Sequence, residues 1–170
     1  MVTTITPGLG AGVRLELPEE SEFPANGFLA APDLAHIGAR MRDEHEDLSG
    51  FTEVSVDYLW KKHGGEASGR PKLGAEIIVA GFWRYYCQAD LIIWLAADHL
   101  RGRSPDVVRA VLFHHLCAID VDPKTLAPKL RPADVNAFLA EIKTFGLWND
   151  DLRTAKDVFV QAELIPAEES

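Results

Sequence analysis

Ser104-Pro105-Asp106-Val107-Val108-Arg109-Ala110-Val111-Leu112-Phe113-His114-His115-Leu116-Cys117-Ala118 is the stretch on which the fold turns. It opens with a hydroxyl that can accept from a free backbone N–H, a proline whose φ suits the first helical position, and an acid in the first turn. Val107, Val108, Val111, Leu112, His115, Leu116 and Ile119 then recur at i, i+3, i+4 spacing. The pattern predicts a wide-faced, mostly buried helix.

Upstream of it the pattern is that of strands. Thr52 to Trp60 alternates, with Val54, Val56 and Tyr58 or Leu59 on one side. Ala75 to Tyr86 reads as a second strand around Ile77-Ile78-Val79-Ala80, with Gly81 as a bulge or a close backbone approach. Asp90 to Ala97 is apolar on both faces and is expected to be central. The composition of 63–71, rich in glycine, predicts a loop. Before the strands, Leu34, Ile37, Met41 and Leu48 fall on one face of a helix over 33–48, with Asp33 as its N-cap. The cluster Asp43-Glu44-His45-Glu46-Asp47 reads as a charged helix end rather than a metal site.

Downstream, 120–131 is predicted as a loop, and Pro132 as the start of a helix carrying Val135, Phe138, Leu139, Ile142 and Phe145, stopped by Gly146. A last helix is expected from Asn149. The order gives an α+β fold, a small, mostly antiparallel sheet packed against several helices. Residues 1–30 read as an extended arm with a short strand at 13–17, residues 31–165 as the domain, and 166–170 as a tail.

The 170 residues carry a net charge of −9. An acidic balance argues against a duplex nucleic acid partner, which needs a basic face. The patch Lys61-Lys62-His63 with Arg70 and Lys72 is expected to be a solvated loop. Cys87 and Cys117 are too few for a disulfide framework and point to a reducing, cytoplasmic setting. The N-terminus has no signal-peptide pattern, and Leu91 to Ala97 is too short to insert in a membrane. Gly8-Leu9-Gly10-Ala11-Gly12 lacks the flanking strand and helix of a phosphate loop. Trp83, Arg84, Tyr85 and Tyr86 read as a half-buried aromatic strand face, or as an interaction surface if that strand lies at an edge.

His114-His115-Leu116-Cys117-Ala118 has the length of the zinc motif H-E-x-x-H but not its chemistry. That motif sets two imidazoles one turn apart, with a carboxylate beside them to take a proton from bound water. Neighbouring helical residues such as His114 and His115 point about 100° apart and do not converge on one ion. His114 with Cys117, an i, i+3 pair, is the one local combination that could reach a metal.

Taken together, these features resemble the metallopeptidase-like proteins of phages and prophages, relatives of the zincins. The resemblance covers roughly residues 33–160. It rests on Gly74-Ala75-Glu76, Ala89-Asp90-Leu91-Ile92-Ile93, Ser104-Pro105, the helix through Leu116-Cys117, Leu130-Arg131-Pro132 with Asp134-Val135 and Phe138, and Phe145-Gly146-Leu147-Trp148. It implies a zincin-like fold. It also implies that His114 matches the first zinc ligand, while His115 stands at the general-base glutamate and Ala118 and Ala133 stand at the other two ligands. His114, His115, Ala118 and Ala133 are then a vestigial site with no catalytic residue, no metal and no cofactor. The expected function is non-catalytic binding of a host or phage protein. Two alternatives stand beside it: a cryptic zinc-dependent hydrolase with relocated ligands, and a self-associating structural protein whose N-terminal arm joins subunits into a homo-oligomer.

Overall fold

The computed structural model describes residues 12–51, 53–133, 138–149 and 153. Four strands form a mixed sheet in the order β1 (Phe28–Ala30), β2 (Val56–Lys61), β6 (Leu91–Ala96), β5 (Gly74–Ile78). The outer pairs, β1 with β2 and β5 with β6, are antiparallel, and the central pair β2 with β6 is parallel, with Val56 opposite Leu91 and Lys61 opposite Ala96. The run read as buried on both faces is thus an interior strand. Between β2 and β5, the glycine-rich segment folds into a small hairpin, β3 (Glu66–Ala67) and β4 (Arg70–Pro71).

Alternation sorts the sheet into two faces. Tyr58, Trp60, Leu91, Ile93 and Leu95 point to the core, where they meet Leu34, Ile37 and Met41 of α1 (Pro32–Glu44) and Val108, Val111, Leu112 and Leu116 of α4 (Pro105–Cys117). Ser104 caps α4 by accepting from Val107 N–H, with Pro105 at the first position, as its sequence requires. Helices α1 and α5 (Leu139–Phe145) both pack on α4. The short α3 (Ala97–Leu100) follows β6 directly.

Several expectations are corrected. The helix of 33–48 breaks at His45, so that α2 (Glu46–Ser49) is separate. The break is made by His45 itself: it turns extended, its Nδ1 accepts from Asp47 N–H, its Nε2 meets Thr144 Oγ1 at 3.1 Å, and its ring packs edge-on against Phe113. That histidine therefore serves packing within the charged cluster. Asp33 is not the N-cap. It lies in the first turn, 8% exposed, where Trp60 Nε1–H and Glu16 N–H donate to its carboxylate.

The strand expected over 75–86 ends at Ile78, because Gly81, at φ +57°, turns the chain into a 3-10 helix over Gly81–Tyr85. Gly81 is thus neither a bulge nor a close approach: nothing lies within 4 Å of where its Cβ would be. The segment 120–131 is not a bare loop. It holds the hairpin of β7 (Ile119–Val121) and β8 (Pro128–Leu130), with Lys129 Nζ 3.1 Å from Asp120 Oδ2 on the facing position. The helix expected from Pro132 is seen from Leu139, and Gly146, at φ +65°, ends it as expected.

Residues 13–17 form no strand, and within the stretch read as an arm the described residues from Val13 on are docked on their own chain. Val13, Leu15, Leu17 and Phe23 pack on the core, Arg101 donates to the Pro18 carbonyl at 2.8 Å, and Phe28–Ala30 is an edge strand of the sheet. Gly8–Ala11, Asp134–Val135, the 166–170 tail and the helix expected from Asn149, apart from Asn149 and Arg153, lie outside the described residues. No helix among the described residues is long and apolar enough to cross a membrane.

Candidate functional site

His114 and His115 leave the last turn of α4 in different directions, with ring centroids 5.2 Å apart and planes at 89°. Each is held by a carboxylate from a different element. His114 Nδ1 lies 2.7 Å from Glu141 Oε2 on α5, and His115 Nδ1 lies 2.5 Å from Glu76 Oε2 on β5. Glu141 has no exposed surface. Its two oxygens also accept from Phe138 N–H at 3.1 Å and from Trp148 Nε1–H at 2.5 Å. A fully buried carboxylate is tolerable only with such partners.

Burial disfavours the charged form of His114, but the hydrogen bond and charge of Glu141, with the charge of Glu76, outweigh it and raise the imidazole above its ordinary value. Burial likewise pushes Glu76 up. The hydrogen bond from His115 and the charges of His115 and His114 overcome that and hold Glu76 below the usual carboxylate value. The cluster is therefore two imidazole–carboxylate pairs that share a field.

Gly74 makes room for it. A Cβ at that position would lie 2.5 Å from His115 Nε2 and 2.7 Å from the Trp94 carbonyl, so only glycine lets the imidazole rest against β5. Beside the two rings is a cavity of about 210 Å³ lined by Leu73, Gly74, Val111, His114, His115, Trp148 and Asn149.

Over residues 27–156 the chain matches the family described as "Putative phage metallopeptidase", and it belongs to that family. No curated protein and no solved structure matches it.

A zinc ion is what the family description implies, and the side chains of the described residues do not fit one. His114 retains the arrangement of a ligating imidazole, its Nδ1 held by a carboxylate. Ala118, 2% exposed, offers only backbone: its N–H donates to the His115 carbonyl at 3.3 Å, and its carbonyl accepts from Arg131 N–H at 2.9 Å. Ala133 is half-buried and packs against the core. Cys117 is a buried thiol that does not line the cavity, so the His114 and Cys117 pair is not brought together there. Among the described residues no group of three or more His, Cys, Asp or Glu is placed to hold one ion, whereas a zinc site takes about three protein ligands.

Trp83, Arg84, Tyr85 and Tyr86 do not line the cavity. They sit on the 3-10 turn, not on a half-buried strand face: the three rings are 67%, 81% and 66% exposed, and Arg84 pairs with Asp90 at 2.8 Å. Sequence reasoning missed Glu141. It falls among the apolar residues of a short helix and carries no motif, so only the packing of α5 on α4 reveals it. Glu76 and His115 were each marked by the resemblance, but their pairing was not.

Proposed function

We propose that this chain is a non-catalytic member of its family that binds a phage or host protein instead of cutting one, holds no zinc, and acts in the cytoplasm of the bacterial host. The observation that carries the reading is the pairing of His115 with Glu76. The residue at the position of the general base is an imidazole whose Nδ1 is turned onto a strand carboxylate, so the glutamate that would take a proton from a metal-bound water is replaced by a side chain of different chemistry. The substitutions at Ala118 and Ala133 support the same reading, since neither side chain can donate to a metal.

The cavity suits a binding role. At about 210 Å³ it is smaller than the roughly 300–1,000 Å³ of small-molecule pockets. It has the size of one inserted side chain, with Leu73, Val111 and Trp148 as apolar walls and the imidazoles as polar ones. The acidic balance favours a protein over duplex nucleic acid as partner.

The second reading, a hydrolase with relocated ligands, draws on one observation: both imidazoles border the same cavity with Nδ1 held by carboxylates. Elemental analysis of protein purified without added metal separates the two, together with cleavage assays on a quenched peptide library with and without zinc. The non-catalytic reading expects substoichiometric zinc and no cleavage. One zinc per chain that survives dialysis and is lost in His114→Ala would overturn it.

A further inference from the structure

Among the described residues seven large apolar side chains stand exposed, and five of them fall between Ile77 and Tyr86. Ile77 is 48% exposed, Phe82 69%, Trp83 67%, Tyr85 81% and Tyr86 66%. We propose that this turn is the contact face of a homodimer, in which two copies of the chain meet turn to turn about a two-fold axis.

The area agrees with that occupant. A buried aromatic side chain covers about 150–250 Å², so four rings at this exposure, with Ile77, present on the order of 600 Å². Monomers rarely expose a contiguous apolar patch beyond a few hundred Å². Two copies would together bury roughly 1,200 Å², the lower bound for specific interfaces. A two-fold contact needs only one self-complementary patch, which a single chain supplies to both sides.

The charge agrees as well. The chain carries a net charge of −9, so two copies repel in general. From Ile77 to Ala89 the only charged residue is Arg84, and Asp90 neutralises it. The turn is thus a place where two acidic copies can touch without opposing charges of one sign. The same lack of free cations gives an anionic membrane surface nothing to attract.

The turn is also ordered before contact. Phe82 meets Trp83 at 5.7 Å and Tyr86 at 5.2 Å, and Tyr85 meets Tyr86 at 5.0 Å, all edge to face. Rings that already brace one another lose little freedom on association. With the 13–30 segment docked on its own core, the turn is the exposed apolar face left for self-association among the described residues.

Sedimentation velocity of the full chain, from about 1 to 100 µM, tests this. Wild type should rise from 18.7 kDa toward twice that mass across the range. The double variant Trp83→Ser, Tyr85→Ser should stay at the monomer mass with an unchanged far-ultraviolet spectrum. Leu126→Asn, which removes another exposed leucine, should dimerise as wild type does. A wild type that stays monomeric at about 100 µM, or a double variant that dimerises equally well, overturns the proposal. Monomeric wild type that instead floats with zwitterionic vesicles, or binds only a foreign protein through the turn, overturns it too and names the other occupant.

Discussion

Glu76 on β5 and His115 on α4 are joined at 2.5 Å, Nδ1 to Oε2, and this bond clamps the edge strand to the helix that carries both histidines of the site. Both side chains are largely removed from water, at 22% and 11% exposure. Glu76→Ala leaves a buried imidazole N–H without an acceptor, and it should lower stability by about 1–3 kcal/mol. Glu76→Gln keeps an accepting oxygen and loses only the charge, so its loss should be the smaller. Urea denaturation of the two variants beside wild type gives the order, and equal losses would show that the charge contributes nothing.

The same cluster sets a pH dependence of opposite sign on its two sides. His114 is raised above its ordinary 6.5 in the folded chain. Its contribution is therefore complete below about pH 6.5 and lost as pH rises through the raised value. Glu76 is lowered from its ordinary 4.5. Its contribution is complete above about pH 4.5 and lost as pH falls through the lowered value. The stability these groups supply should peak between about pH 4.5 and 6.5. Urea midpoints measured across pH 4 to 9 should show His114→Gln flattening the alkaline limb while leaving most of the acid limb in place.

The helix of the motif could be read from the chain because its signals are local: a cap, a proline and a period of i, i+3, i+4 from Ser104 to Cys117. The same holds for β6 and for the glycine stop at Gly146. What escaped depends on contacts distant in sequence. The break at His45 comes from Thr144 and Phe113, which local pattern cannot see. The end of β5 depends on Gly81 adopting a positive φ, which turned an apparent strand of aromatics into an exposed 3-10 turn. At the site, the resemblance read from the sequence implied that ligands are missing at Ala118 and Ala133. Glu141 was not legible, since a glutamate on a helix that also carries Lys143 and Thr144 looks solvated until Phe138, Trp148 and His114 are seen to close around it.

Asp33 links three parts of the fold. It lies in the first turn of α1, accepts from Trp60 of β2 at 3.1 Å, and accepts from Glu16 in the N-terminal stretch at 2.9 Å. Asp33→Ala should cost about 1–3 kcal/mol, chiefly by stranding the buried indole N–H. It should also loosen the hold on 13–30. Hydrogen exchange should therefore rise over those residues more than over α4. A uniform rise would mean that the stretch is held by its apolar contacts alone.

The last prediction concerns rebuilding the motif. His115→Glu alone sets a carboxylate against Glu76, in place of a hydrogen bond that now measures 2.5 Å. Two carboxylates that close cannot both ionise without cost, so this single variant should be less stable at pH 7 than at pH 5. Adding Ala118→His and Ala133→His places imidazoles where buried or half-buried methyl groups now pack, at an overpacking cost of about 1–3 kcal/mol each. The triple variant should therefore be marginal without metal. If His114 occupies the first ligand position, zinc should repair it: three imidazoles on two segments meet the ligand count of a zinc site, and the bound cation would offset the charge of Glu76 and of the glutamate introduced at His115. Thermal unfolding with and without zinc reads both effects. The expected result is a midpoint below wild type in chelator and a rise on addition of zinc that wild type does not share. Calorimetric titration should give one site per chain. A folded triple variant whose midpoint zinc leaves unmoved would mean that His114 does not stand where the family's first ligand stands.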